Sequence, residues 1–375
     1  MACLRRIETG TLFRDGRPHL ARADGVLMAL NSIGWDIWER LEYPLSVETL
    51  VQSLQLEFEI DALTCRSSIE LFLGQLDAAG LLLSVPSPDP GQQAIYRYLR
   101  LLKRSLGGML DIESGLRLDF LQNLPATQDI DVRQLFPSIR YREPEKFAAA
   151  QRVHRVGSFT LRAFRESMAT AVTYSPTMVG LQRLNNVERL AEQIFAEGIP
   201  GDFIEAGVCR GGVAILMRAL QRMYDQSQRK VWLADSFQGL PFSSAPQDIA
   251  AGLDLSSAHY PELAAGLQQV LDNFRLYDLL DDGVRCLPGW FADTLPAAPI
   301  ERLALIRADG DLYSSTMDIL VNLYDRLSPG GVVIIDDYFA LAVCQQAVDE
   351  FRTARGITAP LQLIDQYSVY WRREV

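Results

Sequence analysis

No run of about 18 uninterrupted apolar residues occurs in the chain, and no apolar stretch follows Arg5 and Arg6 near its start. A membrane-spanning helix and a secretory signal are excluded on those grounds, and a soluble, cytoplasmic protein is expected. The five cysteines, at positions 3, 65, 209, 286 and 344, are odd in number and scattered, without the close pairings of a zinc site. They fit a reducing compartment. Positive charge is also short, with 36 lysines and arginines against 47 aspartates and glutamates, a net of -11. That balance speaks against nucleic acid as the main partner. What the chain has in quantity is apolar material, 48% of its 375 residues, enough for two domains.

The feature that stands out is where certain acids fall. Asp309 closes the apolar run from Leu303, and Asp336 and Asp337 close the run from Gly331. Carboxylates are costly to bury unless paired, hydrogen-bonded or bound to a cation, so acids placed directly after buried strands mark a site. In open α/β sheets the ligand crevice lies outside the carboxyl ends of the strands. Three hard oxygen donors delivered there suit a divalent metal, magnesium above all.

Residues 86–93 hold three prolines and a glycine and are read as a linker. Before it, strand-like runs from Arg5 to Phe13 and from His19 to Ala23 flank a turn at Arg14 to Arg17, predicting a hairpin. Apolar residues then recur at helical spacing: Ile33, Ile37 and Leu41; Val47, Leu50, Val51 and Leu54; Ile69, Phe72, Leu73 and Leu76. Gly80 caps the last helix and Leu81 to Leu83 reads as a closing strand. The result is a small α+β, winged-helix-like domain over residues 1–85.

The stretch Leu30-Asn31-Ser32-Ile33-Gly34, the helix from Ser46 to Leu54, and the run from Phe72 to Leu82 resemble the family of coenzyme PQQ synthesis protein D, with Glu42-Tyr43-Pro44 as a shortened link. The resemblance implies a peptide-recognition domain whose sheet takes up the leader of a ribosomally made precursor peptide as an added strand. The other reading of the same residues is a packing or oligomerisation module.

Residues 94–200 are read as a mostly helical lid or oligomerisation region, with Ile95, Leu99 and Leu102 on one face and an irregular segment from Leu124 to Pro144. From Gly201 to the end, strands alternate with helices, the mark of a mainly parallel sheet covered on both faces. Two closing runs, Leu361 to Ile364 and Val369 to Arg372, lie too close together for a crossover and should form an antiparallel edge.

Within that core the first strand ends in Glu205, Gly207, Gly211 and Gly212 and opens into a helix, where glycines allow close backbone approach to a ligand. The second strand ends in Asp235 and Ser236, the place of an acid that accepts from ribose hydroxyls. The glycines lack dinucleotide spacing, and Glu205 would repel a pyrophosphate yet could receive the cationic amino group of a methionine moiety. With the antiparallel close, these signs favour a class I S-adenosylmethionine-dependent methyltransferase, a Rossmann-like α/β fold, over a dehydrogenase.

The segments Thr177 to Leu184, Pro200 to Glu205, Arg210 to Gly212, Val231 to Phe237, Gly289-Trp290-Phe291, Asp309 to Thr316 and Asp336-Asp337-Tyr338 together resemble the macrocin O-methyltransferase family. Cys209 and Ala206 depart from its usual loop, and its tryptophan motif before Thr177 is missing. The resemblance implies a seven-stranded sheet, S-adenosyl-L-methionine as methyl donor and Mg2+ held by Asp309, Asp336 and Asp337. It implies further that Glu205, Gly207, Gly211, Asp235, Ser236 and Asp309 line the cofactor, with Gly289 and Trp290 near the adenine. Asp309 is expected to double as ligand and catalytic base. Thr177, Arg183 and Tyr338 are the candidate substrate contacts. His154, His259 and Cys209 rank behind as surface or packing residues.

Taken together, the residues predict an O-methyltransferase that tailors a ribosomal peptide held by residues 1–85, acting as a homo-oligomer. Two alternatives stand beside it: a sugar-hydroxyl O-methyltransferase of antibiotic biosynthesis with a structural first domain, and a non-catalytic peptide-binding chaperone.

Overall fold

The computed structural model describes residues 2–7, 9–14, 17–22, 25–58, 61–114, 116, 145, 147–150 and 175–374. Two compact units emerge, Met1–Arg100 with Gln362–Gln366, and Leu101–Leu361 with Tyr367–Val375.

In the first unit, β1 (Ala2–Arg6) pairs antiparallel with β5 (Leu82–Pro86), and β2 (Gly10–Arg14), β3 (Arg17–Arg22) and β4 (Gly25–Ala29) form an antiparallel sheet in that order. The expected hairpin is β2–β3. The run expected to begin at Arg5 divides instead, its first part turning away to pair with β5.

Three helices follow, each started by a side chain that accepts an orphan amide of the first turn. Asn31 accepts from Gly34 at 2.7 Å to open α1 (Ser32–Arg40), and Ser46 from Thr49 at 3.1 Å to open α2 (Val47–Phe58). Asp61 accepts from Leu63 and Thr64 to open α3 (Ala62–Ala78). The periodic residues Ile37, Leu41, Leu50, Val51, Leu54, Ile69, Leu73 and Leu76 join Leu20, Trp35 and Trp38 in one apolar core. Ile33 is the exception, exposed on the first turn of α1.

The proline-rich stretch is not an open linker. Pro86 ends β5 and Pro90 begins α4 (Pro90–Leu106). Asp89 accepts from the Gln92 amide at 2.9 Å while Gln92 Oε1 accepts from the Asp89 amide at 3.2 Å, a reciprocal cap that starts the helix at once. Much of the expected helical region, residues 117–144 and 151–174, lies outside the described residues, and the irregular segment and His154 fall there. What is described includes α5 (Leu181–Ala196). Fully buried Lys103 pairs with Glu188 of α5 and donates to Asn185 at 2.7 Å.

The second unit carries β6 (Asp202–Ala206), α6 (Gly212–Met223), β7 (Val231–Asp235), α7 (Leu267–Leu276), β8 (Val284–Pro288), β9 (Leu303–Ala308), α8 (Tyr313–Leu323), β10 (Leu327–Ile335), α9 (Ala342–Ala354) and β12 (Val369–Arg372), while β11 (Gln362–Leu363) falls in the first. The sheet has seven strands in the order β11-β12-β10-β9-β6-β7-β8. The strands from β10 to β8 run parallel, and β12 is antiparallel to β10. Strand order reverses beside β6, so the crevice of such a sheet opens where β6 and β9 end. Their apolar residues are buried on both faces, as an all-parallel region requires. No described helix is long and apolar enough to cross a membrane.

Candidate active site

At that reversal point a cavity of about 690 Å³ is lined by the ends of β6, β7, β9 and β10, the start of α8 and the segment following β7. The close approach of β6 and β9 explains Gly207. Its φ is +93°, and a Cβ there would overlap the Asp309 carbonyl, so glycine is the residue the backbone permits.

The centre of the site is a buried charge cluster organised by Arg307, a lone cation inside the apolar strand β9. Its Nη1 donates to Glu205 Oε1 and to Asp309 Oδ2, both at 2.8 Å, and its Nη2 lies 2.6 Å from Asp336 Oδ1 in an ion contact. Arg183 of α5 pairs with the other oxygen of Asp336. Burial works against charge on Asp336, yet Arg183 and Arg307 hold its carboxyl below the usual range.

The remaining acids behave oppositely. Burial, with help from the charge of Asp309, pushes Asp311 up to about 7, and burial and three neighbouring aspartates push Asp337 well above the usual range. Burial raises Asp309 too, against the pull of Arg307. Ligand atoms of Asp309, Asp311 and Asp337 all lie within 4.8 Å of one another, the spacing of a cation site. Like charges so close cannot all ionise without a counter-cation, which is the chemistry a divalent ion would satisfy.

Of the expected metal set, Asp309 and Asp337 share this cluster with Asp311, while the two oxygens of Asp336, which also lines the cavity, each face an arginine. Asp311 is absent from the expected set, although its sequence signal, two acids two apart at a strand end, is plain. Arg307 is absent too, although a single arginine in an apolar strand demands buried partners.

Of the expected cofactor contacts, Glu205, Gly207, Asp235, Ser236, Trp290 and Asp309 line the cavity. Glu205 is almost wholly buried, and burial raises its carboxyl to about 8 against the pull of Arg307. Its Oε2 has no hydrogen-bond partner, an orphan acceptor that fits a ligand ammonium. Asp235 accepts from the amides of Val208 at 2.6 Å, Cys209 at 3.3 Å and Phe237 at 2.7 Å, so it shapes the two loops beside it while keeping lone pairs toward the cavity.

Gly211 and Gly289 do not reach the wall. Gly211, at φ +90°, starts α6, and the Gly289 amide donates to the Asp235 carbonyl at 2.9 Å. Thr177 does line the cavity, beside Met178 and Val179. Arg183 and Tyr338 are not on the wall: Arg183 is committed to Asp336, and the Tyr338 hydroxyl donates to Asp349 at 2.7 Å. Their neighbours Tyr367 and Phe339 line it instead. His259 is exposed beside Asp254, and burial raises the Cys209 thiol rather than activating it.

Comparisons with known proteins agree with this geometry. The macrocin-O-methyltransferase family profile matches residues 96–373, and that of coenzyme PQQ synthesis protein D matches residues 18–82. The chain is 44% identical over 247 residues to a mycinamicin III 3''-O-methyltransferase of Micromonospora griseorubida, covering 64% of this chain and 96% of that protein. It is 52% identical over 196 residues to an 8-demethyl-8-(2,3-dimethoxy-alpha-L-rhamnosyl)-tetracenomycin-C 4'-O-methyltransferase of Streptomyces olivaceus, covering 52% of this chain and 75% of that one. The solved O-methyltransferase NovP superposes with a TM-score of 0.58 at 38% identity, covering 75% of this chain and all of NovP. A class I sheet with an antiparallel end strand, an orphan glutamate at the first strand and a cluster of acids at the strand ends therefore have one common account: the chain belongs to the macrocin-O-methyltransferase family and is an S-adenosylmethionine-dependent O-methyltransferase.

Proposed function

We propose that this enzyme methylates a sugar hydroxyl of a glycosylated natural product with the help of a divalent cation, magnesium by preference. The observation that carries the reading is the three-acid cluster of Asp309, Asp311 and Asp337 on the cavity wall, beside the orphan oxygen of Glu205. The relatives named for mycinamicin and for a rhamnosyl tetracenomycin support the sugar as acceptor over the peptide hydroxyl that the sequence favours.

When bound, S-adenosylmethionine supplies an electrophilic methyl group and the cation acidifies the acceptor hydroxyl. The chain's own residues do the rest. Glu205 holds the donor's ammonium, and Arg307 fixes both Glu205 and Asp309. Asp309 and Asp337 would be the principal metal ligands. Asp311 takes the acceptor proton: it lies in the same cluster and has no ion-pair partner among the described residues, whereas Arg307 holds Asp309. Phe242, Tyr260 and Phe339 offer an aromatic wall against which an acceptor can pack. The test is methyl transfer from S-adenosylmethionine to aryl rhamnosides and related glycosides, followed by mass spectrometry with magnesium and with EDTA. Transfer unaffected by EDTA would sink the metal, and transfer to peptides alone would sink the sugar.

A second reading rests on the match of residues 18–82: the acceptor is delivered on a precursor peptide whose leader the first unit binds. It predicts at least tenfold faster methylation of leader-bearing than leader-free peptide, and equal rates would end it. We also place the enzyme in the cytoplasm, as five free thiols among the described residues suit a reducing compartment, and expect a homo-oligomer, which light scattering can test.

A further inference from the structure

Helix α8 begins directly after Asp311, and it has an unusual start. Its N-cap residue, Leu312, offers no side chain to the first-turn amides. The missing cap comes from 65 residues earlier. Asp248 Oδ1 accepts from the Tyr313 amide at 2.8 Å, and its Oδ2 accepts from the Ser314 amide at 3.4 Å and the Ser314 hydroxyl at 3.3 Å. The Ser243 hydroxyl donates to the same Oδ2 at 2.5 Å. Asp248 is completely buried, and no described cation is paired with it. A buried carboxylate without a cation is tolerable only where donors of this kind surround it, and the positive end of a helix dipole adds to them.

Asp248 itself belongs to the long segment that joins β7 to α7. Apart from the short helical turns Pro246–Ala250 and Pro261–Leu263, this segment has little regular structure. Gly239, Leu240, Pro241, Phe242, Leu255 and Tyr260 from it line the cavity. Most of the segment's hydrogen bonds are local turns within it, and what ties it to the start of α8 is buried Asp248 together with Ser243, whose hydroxyl lies 3.2 Å from that of Ser314.

We propose that Asp248 is a positioning residue that latches this segment onto the start of α8, fixing the outer wall of the cavity in register with Asp311. The segment leaves the sheet at Asp235 and is pinned next to the acid that receives the acceptor's proton. The latch thus ties the wall against which an acceptor packs to the atoms that react with it. Tyr313 and Ser314 form the helix side of the joint, Ser243 and Asp248 the segment side. Cofactor contacts from Glu205, Gly207 and Asp235 sit on strand ends and do not depend on it. Charge is not what the latch requires, since its partners are amides and hydroxyls. Asparagine, about as good a helix cap as aspartate, should serve nearly as well.

The test compares Asp248→Ala and Asp248→Asn in the full-length protein, and it rests on the O-methyltransferase activity for one arm only. In the first arm, amide hydrogen exchange at Tyr313 and Ser314 and chymotrypsin cleavage after exposed Phe242 should both accelerate at least tenfold in the alanine variant, with the asparagine variant near wild type. In the second, S-adenosylhomocysteine affinity by calorimetry should stay within twofold, while kcat/KM for 4-nitrophenyl α-L-rhamnopyranoside falls at least tenfold and is restored by asparagine. Unchanged exchange and cleavage in the alanine variant would overturn the latch, as would an equal loss of S-adenosylhomocysteine binding. Should the wild type leave the rhamnoside unmethylated, the sugar reading fails and the exchange arm still decides the latch.

Discussion

The two units of this chain bury opposite things. In the first, Trp38, Leu41, Leu50, Ile69 and Leu76 close a core of hydrocarbon, with ionisable groups kept mostly to its surface. In the second, the middle of the sheet holds Arg307, Glu205, Asp336 and Arg183, all almost fully buried. Replacing buried ion pairs by packed apolar groups of like volume is often neutral or stabilising, so stability alone does not call for such a cluster. The contrast teaches that the second unit's centre is shaped for charges that arrive from outside, whereas the first is shaped to stand.

The strongest way to break the contrast is to remove its keystone. Arg307→Met leaves Glu205 and Asp309 without their cation and Asp336 with one of two, and uncompensated burial of that kind costs about 3–5 kcal/mol. We expect the melting temperature to fall by about 6–15 °C, and S-adenosylhomocysteine binding to vanish in calorimetry. A melt within about 2 °C of wild type would show the cluster to be incidental to the fold.

Removing one of the crowded acids should do the reverse. Asp311→Asn and Asp337→Asn relieve like-charge repulsion, so the ligand-free protein should melt no lower than wild type, while methyl transfer drops roughly 10²–10⁴-fold. Thermal melts beside turnover rates check both halves, and a variant that loses stability and activity together would count against the site. In the first unit, Leu50→Ala should cost about 2–5 kcal/mol and lower that unit's own transition. Calorimetry with S-adenosylhomocysteine should give an unchanged affinity, and a tenfold loss would show that the two regions are not energetically separate.

Much of this architecture could be read from the sequence. Apolar runs placed β6, β7, β9 and β10 because those strands are largely buried on both faces, the alternation with helices placed the half-buried β8, and the caps at Asn31, Ser46 and Asp61 lie where helical periodicity begins. The site was less legible, since a sequence gives which acids end a strand but not which way they point. Asp336 and Asp337 are adjacent and face opposite partners, guanidinium groups for one and the acid cluster for the other. Asp248 was out of reach altogether, because its role depends on a contact 65 residues away that has no local pattern.

The finest test of the contrast is its pH dependence. Glu205 has an ordinary value of 4.5 and is raised to about 8 in the fold by burial. Between those values the folded protein binds more protons than the unfolded chain, so stability falls as pH rises. The contribution is fully present below about 4.5 and is lost as pH passes through about 8. Asp311, raised to about 7, adds to it in the same direction. From pH 6 to 9 the ligand-free second unit should therefore lose on the order of 1–3 kcal/mol, or about 2–6 °C, while the first unit's apolar core gives no such slope. Glu205→Gln should flatten the decline, because the amide has nothing to titrate. Saturating S-adenosylhomocysteine should flatten it as well, since its ammonium stabilises the ionised carboxylate that high pH creates. A melting temperature that rises over this range in the ligand-free protein would mean that Glu205 is already charged in the fold, and that the orphan oxygen has a partner of its own.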